Sequence, residues 1–432
     1  MIKAKDGDMT IVILCTLDTK GVETAYLKKQ IEARGCDTLV FDLGTRGKAG
    51  IVADITRDEI FKLGNPGETL IASENRVRLG EIMTTGAANK IKELYKEGKI
   101  KGVIGIGGAT NSLMETNIMR ALPFGVPKLM VCSVAASQGL ASRYFGTSDI
   151  AILHSVIDFT GTNELIRDIL DRAAGSIAGM IKKIDGIGSD KNYGAKGFVA
   201  MTQLSLCERT ANFVRIRLEA EGHQIIGFSA TGVADKAMEE LIIEGGMFKA
   251  VIDLAPGGVG EELFGGTRAA GKKRLEAAGE KGIPQIIAPC AVNLMTPPRS
   301  KYKPDYYERK RYDLDSLRTF LRLNSEELGS VARVMAEKLN RARGPVKFLI
   351  PMRGWASFDT EGTAIFEPEK DTIFVEEFKR LADKHIEVIE VNANIDEPAF
   401  GEAIIKAFNE LINQRNWEED IDDTSKIQPA RC

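Results

Sequence analysis

An apolar run, Ile11–Cys15, breaks off at "TLDTKGVE" (16–23) and gives way to a helical pattern. Turns from a strand end into a helix hold anions on free backbone N–H groups. The glycines of a P-loop are absent, and Asp18 would repel a bare phosphate. The residue types divide the work. Thr19 and Gly21 open the helix toward a ligand, Lys20 meets its negative charge, and Asp18 contacts a hydroxyl or a metal-bound water. A plain helix cap is the alternative.

A second turn, "GIGGATNS" (105–112), is the better anion site. Gly105, Gly107 and Gly108 admit a ligand without Cβ clashes, and Ala109, Thr110, Asn111 and Ser112 open a helix whose dipole favours phosphate. The alternative is a β-α turn that needs glycine for its own geometry. Asp42 closes another apolar run in "DLGTRG" (42–47), where an acid binds ribose hydroxyls in dinucleotide folds. Gly44 and the mobile cation Arg46 stand beside it. Ser133 begins "SVAASQG" (133–139), small and polar enough for close approach.

In the second half, Glu261 and Glu262 of "DLAPGGVGEELFGG" (253–266) are candidates for a base or metal ligands. Arg353 of "PMRGWASFD" (351–359) is a candidate clamp for a carboxylate. An exposed helical turn and a surface loop are the competing readings. No Ser, Cys or His falls into a nucleophile–base pattern, so catalytic residues stay unassigned beyond Glu261 and Arg353. The histidines, His154, His223 and His385, lie far from any cysteine, and no metal site is expected. The basic and aromatic "KYKPDYYERKRY" (301–312) fits a lobe or subunit contact better than RNA stacking in so acidic a chain.

What positions these turns follows from length and pattern. A chain of 432 residues exceeds one ordinary core. Its net charge of −3 leaves no basic excess to neutralise a nucleic-acid backbone, and nucleic acid is not the expected partner. Six scattered cysteines without a CxxC pair fit a reducing, cytoplasmic setting, and no apolar run is long enough for a membrane span. Strand-like runs at 10–16, 37–44, 101–108, 127–133 and 149–156 alternate with helical stretches at 21–35, 88–100, 111–122 and 163–184. Strands apolar on both faces imply a parallel, doubly wound sheet. The polar stretch 185–197 reads as a linker, after which the order repeats: "GFVAMTQ" answers "VILCTLD", and "GIPQIIAPCAVN" answers "GVPKLMVCSVAA". The expected fold class is α/β, with two Rossmann-like domains related by internal duplication, 1–185 and 186–412. A flexible tail, 413–432, follows. Residues 297–342 either extend the second sheet or pack back on the first lobe.

The strings "TLDTKGVE", "DLGTRG", "GVIGIGG" (102–108), "ALPFGVPKLMV" (121–131), "SVIDFTGTN" (155–163), "FSATG" (228–232) and "IDEPAF" (395–400) resemble the tobamovirus-multiplication-inhibitor-like ATP-binding family, which includes the N-terminal part of plant virus-resistance proteins. The likeness runs from about Ile11 to Ala407. It implies ATP, with or without Mg²⁺, in the first domain, a homodimer, and Asp18, Thr19, Lys20, Gly21, Gly44, Gly107 and Gly108 at the nucleotide. The chain departs from the family pattern in reading "GGATNS" for Gly-Gly-Ser-Gly-Gly-Thr and "AASQG" for Ala-Ser-Gly-Asp. In the second lobe it has "APGG" for a threonine-rich run and "CAVN" for Gly-Ala-Leu-Asp. The expected function is a nucleotide-binding protein with an interlobe cleft for a metabolite or protein. An enzyme acting on a small anionic metabolite and a protein-interaction module are the alternatives, and the sequence leaves open whether the chain is an enzyme.

Overall fold

The computed structural model describes residues 9–67, 75–182, 197–316 and 318–414. Residues 185–196 of the expected linker and 415–432 of the expected tail lie outside them. The chain divides into two compact units, Met1–Ser189 and Asp190–Cys432.

In the first unit β1 (Thr10–Cys15) is buried along its whole length. With β2 (Asp37–Asp42), β3 (Gly102–Gly107), β4 (Lys128–Cys132) and β5 (Ala151–His154) it forms one parallel sheet of order β2-β1-β3-β4-β5. Val12 and Leu14 pack into one apolar layer with Met83, Ile91 and Ile118. Ile11, Ile13 and Cys15 pack into the other with Leu27, Ile31, Ala173 and Ile177. These layers are supplied by α1 (Leu17–Glu32) and α6 (Glu164–Ile181) on one face, and by α2 (Arg57–Gly64), α3 (Arg76–Lys96), α4 (Ala109–Met119) and α5 (Ala141–Phe145) on the other. The chain leaves β1 toward β2 on one side and builds β3 on the other, so the sheet has a switch point between β1 and β3.

Two helices differ from the sequence reading. α1 begins at Leu17, four residues before the expected 21, because the Thr16 carbonyl already accepts from the Thr19 and Lys20 N–H groups at 3.1 and 3.0 Å. Lys20 then sits at a kink, with φ −127° and ψ 22°. α3 begins at Arg76 rather than 88, because the Asn75 side chain accepts from the Val77 N–H.

The second unit repeats the order. β6 (Phe198–Gln203), β7 (Ile225–Ser229), β8 (Phe248–Asp253), β9 (Gln285–Ile287), β13 (Val346–Pro351) and β14 (Ile386–Val391) form a parallel sheet, β14-β13-β9-β8-β6-β7. Read from the other edge, β7-β6-β8-β9-β13 has the topology of β2-β1-β3-β4-β5, and β14 adds one strand. Residues 297–342 supply two strands of a small antiparallel sheet, made by β10 (Leu294–Met295), β11 (Arg311–Asp313) and β12 (Thr319–Arg322) in the order β10-β12-β11. They also supply α11 (Ser325–Asn340), which packs beside α12 (Pro368–Leu381). Residues 345–412 extend the second sheet with β13 and β14 and close with α13 (Pro398–Gln414), packed on α7 (Glu208–Ala220).

One contact in the first unit sets the position of α3. A Cβ on Gly86 would lie 1.8 Å from the Ile60 carbonyl oxygen, and one on Gly64 would lie 2.1 Å from that of Ile82. The backbones of α2 and α3 therefore touch, and neither glycine can be replaced without parting the helices. Gly86→Ala is expected to destabilise the first unit by about 1–3 kcal/mol in urea unfolding. Gly179→Ala on α6, where a Cβ meets nothing within 4 Å, is expected to be neutral or stabilising.

Candidate functional site

At the switch point the residues after β1, β2 and β3 meet. Asn111 Nδ2 donates to Thr16 Oγ1 at 2.7 Å, and Thr16 Oγ1 shares a hydrogen with Thr19 Oγ1 at 2.9 Å. This ties the first turn of α4 to the first turn of α1. Asp18 Oδ2 accepts from the Arg46 and Gly47 N–H groups at 3.2 and 3.1 Å. Asp42 Oδ1 accepts from the Leu17 and Gly44 N–H groups at 3.2 and 2.9 Å, while Oδ2 takes Arg57 Nε at 2.7 Å. Arg57 Nη1 donates on to the Gly47 carbonyl at 2.6 Å. The two carboxylates thus fasten the 42–47 loop to α1. Between that loop, α3 and α4 lies a cavity of about 310 Å³, lined by Thr16, Asp18, Thr19, Thr45, Arg46, Arg76, Thr110 and Asn111, with Leu43, Gly47, Gly80 and Met114.

Of the residues singled out in the sequence, Asp18, Thr19, Arg46, Thr110 and Asn111 line this cavity. The others lie outside its lining. Lys20 does not reach it: its ammonium donates to the Phe159 carbonyl and sits 4.0 Å from Asp158 Oδ1. Gly21 serves packing, since its Cβ would lie 2.9 Å from the Gly50 Cα. Asp42 is 3% exposed and its oxygens are taken by protein donors, so no ribose hydroxyl reaches it. Gly44 leaves room for Arg57 and Asp18, and Gly107 for the Asn111 Cβ, 2.6 Å from where its own would stand. Gly108 is different: it precedes α4 without a side-chain cap, and its Cβ would meet only Ser133 Oγ at 3.8 Å. Ala109 is the first residue of α4, and the Ser133 hydroxyl donates to Asp158 Oδ1 at 3.3 Å. Arg76 and Gly80 lie outside the sequence candidates because the sequence reading starts this helix at 88. Asn75, followed by Leu79, Met83 and Ala87 at helical spacing, was the signal.

The geometry can now be set beside known proteins. Residues 9–185 match the model of the Uncharacterised protein family (UPF0261) N-terminal domain, and residues 196–412 match that of its C-terminal domain. The chain belongs to the UPF0261 family. A UPF0261 protein of Clostridium tetani is 34% identical over 406 residues, covering 93% of this chain and 98% of that protein. The ToMV resistance protein Tm-1(GCR237) of Solanum lycopersicum is 30% identical over 321 residues, covering 73% of this chain and 42% of the tomato protein. Among solved structures, a UDP-N-acetylglucosamine 2-epimerase aligns over 87% of this chain and 92% of its own at 9% identity, with a TM-score of 0.23. A likeness that low bears on neither site nor arrangement.

In the UPF0261 C-terminal domain the corresponding switch point, between β6 and β8, is filled from within. Asp253, at the end of β8, accepts from Thr202 Oγ1 at 2.6 Å and from Arg274 Nη1 and Nη2 at 2.6 and 2.8 Å. Arg274 also pairs with Asp235 and Glu239 of α8 (Val233–Glu244), and it is 1% exposed. Glu261 is fully buried: its Oε1 accepts from Arg268 Nη2 at 2.7 Å and the Thr296 hydroxyl at 2.9 Å, its Oε2 is enclosed without a partner, and burial keeps it from a substrate as a base. Arg353 pairs with Glu397 at the surface. Among the described residues no group of three or more His, Cys, Asp or Glu is placed to hold a metal, and no helix is long and apolar enough to cross a membrane.

A second buried arginine, Arg322, holds Asp371 Oδ1 at 2.6 Å and Asp359 Oδ2 at 3.3 Å, and Asn293 Nδ2 donates to both of these oxygens. Glu367 Oε2 also stands 3.7 Å from Arg322 Nε, and one guanidinium does not balance three carboxylates. Burial, with the Asp359 charge adding, outweighs the pull of Arg322 and pushes the Asp371 carboxyl up to about 7. Its folded value lies above the unfolded one near 4, so the native state holds more protons across that window and stability falls as pH rises from about 4 to about 7. Asp371→Asn is expected to flatten this part of the stability–pH curve, by on the order of a few kcal/mol in denaturant unfolding at pH 5 and pH 8.

Proposed function

We propose that the first unit binds a nucleotide, ATP by the family resemblance, in the cavity between the 42–47 loop, α3 and α4. One observation carries the reading. Of two sheets with the same strand order, one keeps an open cavity at its switch point and the other fills it with its own Arg274. Open α/β sheets bind ligands at that point.

The lining supports it. α4 has no side-chain cap, so the N–H groups of its first turn and its dipole are available to phosphate. Gly108 adds no Cβ to that approach. Thr16, Thr19, Thr45 and Asn111 offer hydroxyls and an amide to a ribose, and Leu43 and Met114 offer an apolar seat to a base. Asp18 is the one acid in the lining among the described residues, and it already accepts two backbone N–H groups. One carboxylate so engaged does not hold a cation by itself, so Mg²⁺ would arrive on the phosphates. The volume of about 310 Å³ stands at the lower end of ligand pockets, roughly 300–1,000 Å³.

A second reading is a module that restrains another protein. The name of the tomato relative, a ToMV resistance protein, supports it. Capture of a partner by the nucleotide-free protein, unchanged by added ATP, would favour that reading.

Saturating ATP is expected to raise the melting temperature of the wild-type protein by several degrees; at 100-fold excess over Kd the linkage is about 2.7 kcal/mol. Gly108→Val is expected to melt at the wild-type temperature without ATP and to lose the ATP-dependent rise. Unchanged melting of the wild type at millimolar ATP would sink the proposal.

A further inference from the structure

Two guanidiniums share the cavity. Arg46 leaves the β2 exit loop, and Arg76 is the first residue of α3. Neither has a side-chain hydrogen bond or ion pair among the described residues. In the second unit, by contrast, Arg268, Arg274, Arg322 and Arg353 each hold a carboxylate.

The position of Arg76 runs against helix electrostatics. Cations are disfavoured in a first helical turn, where the dipole end is positive. α3 carries Arg76 there with no acid in its first turn, whereas α1 and α6 each carry one and α2 carries two. Arg46 is held by its backbone, since its N–H is bonded to Asp18 while its side chain stays exposed. Among the described residues the cavity therefore gathers two unpaired cations and the positive end of α4 against a single acid whose oxygen is already shared by two N–H groups. So much uncompensated positive charge in one small volume suits a ligand with several anionic groups.

We propose that Arg46 and Arg76 make the site select by phosphate number, taking nucleoside tri- and diphosphates over monophosphates. This rests on the nucleotide reading above. The cavity seats the nucleoside and the first phosphate against α4, and the two guanidiniums at its rim take the phosphates beyond. Arginine suits this work because its planar fork meets two phosphate oxygens at once.

Calorimetric titration of the wild type, Arg46→Gln, Arg76→Gln and the double variant with ATP, ADP, AMP and inorganic triphosphate tests it. For the wild type, affinity is expected to rise from AMP to ADP to ATP, and the ATP affinity to fall steeply with salt. Each single variant is expected to bind ATP about tenfold more weakly and AMP within about twofold of wild type. The double variant is expected to bind the three nucleotides nearly alike. Wild-type protein that binds AMP and ATP equally, or variants that weaken all three nucleotides by the same factor, overturn this inference and leave the nucleotide reading standing. Inorganic triphosphate binding as tightly as ATP while AMP fails to bind overturns the nucleotide reading, as does the absence of binding by all four, and this inference falls with it.

Discussion

The seat of α4 on β3 is the constraint on which the first unit's site depends. Gly105 and Gly107 face α4 and have no side chains to hold it off. Where a Cβ on Gly105 would stand, Glu115 Oε2 lies 2.4 Å away, and where one on Gly107 would stand, Asn111 Cβ lies 2.6 Å away. The helix settles onto the strand by that margin. Only then does Asn111 reach Thr16 at 2.7 Å, and only then does the uncapped start of α4 overhang the end of β1. The seat puts a carboxyl where water cannot follow. Glu115 is wholly buried, neither oxygen has a partner, and burial pushes its carboxyl well above the usual range. An unpaired carboxylate in that layer would cost several kcal/mol, so burial favours the protonated form. The protonated form matters nearly two turns away, because a negative charge inside α4 would oppose an anion at its start.

The same strand order in the second unit leads to the opposite outcome, and charge explains it. The end of β8 carries Asp253, paired with Ile287 of β9, where β3 carries Gly105, paired with Met130 of β4. A buried carboxylate at a strand end needs a cation, and the segment between α9 (Gly258–Phe264) and α10 (Ala277–Glu280) delivers Arg274 to it, with Thr202 as a further donor. Leu275, next to that arginine, takes a left-handed φ of 74°, a conformation a leucine adopts only when its surroundings impose it. The crevice becomes a buried ion network. The shared strand order sets two equivalent positions, and an acid in one against a glycine in the other separates the filled switch point from the open one.

The fold was legible because its signal is long-range and repeated. Runs apolar on both faces, helices between them and a second copy of the order leave few parallel topologies, and β1 to β5 lie close to where the periodicity puts them. The site was legible only in part. Glycine-rich and acidic turns at strand ends marked the right loops, since α/β topology brings those ends together. What each residue does there was not legible, because a side chain's partner lies far along the chain. Asp42 looks like a ribose acid until Arg57 and the Leu17 N–H are seen to occupy it. Lys20 looks like a phosphate cation until the kink in α1 sends it toward Phe159. Arg76 carries no motif at all. It matters because Gly64 and Gly86 let α2 and α3 touch, and that contact is invisible to local patterning.

Asp18 and Lys20, which look like a matched pair for one ligand, prove to face different neighbours. A helix turns about 100° per residue, so residues two apart diverge by more than half a turn. Asp18 points to the 42–47 loop and lines the cavity, while Lys20 points to the β5–α6 connection and holds Phe159 and Asp158. Each charge in the turn therefore fixes one of the loops beside β1: the acid draws in two N–H groups, and the ammonium holds a carbonyl. A turn that only had to bend a strand into a helix would need neither. The second unit makes that bend with "TQLSLCER" (202–209), which has an acid only at its penultimate position and no lysine. The charges in "TLDTKGVE" are thus the scaffold of the site more than its contacts. By pinning the loop that carries Arg46, Asp18 fixes the place of a cation whose guanidinium has no partner among the described residues.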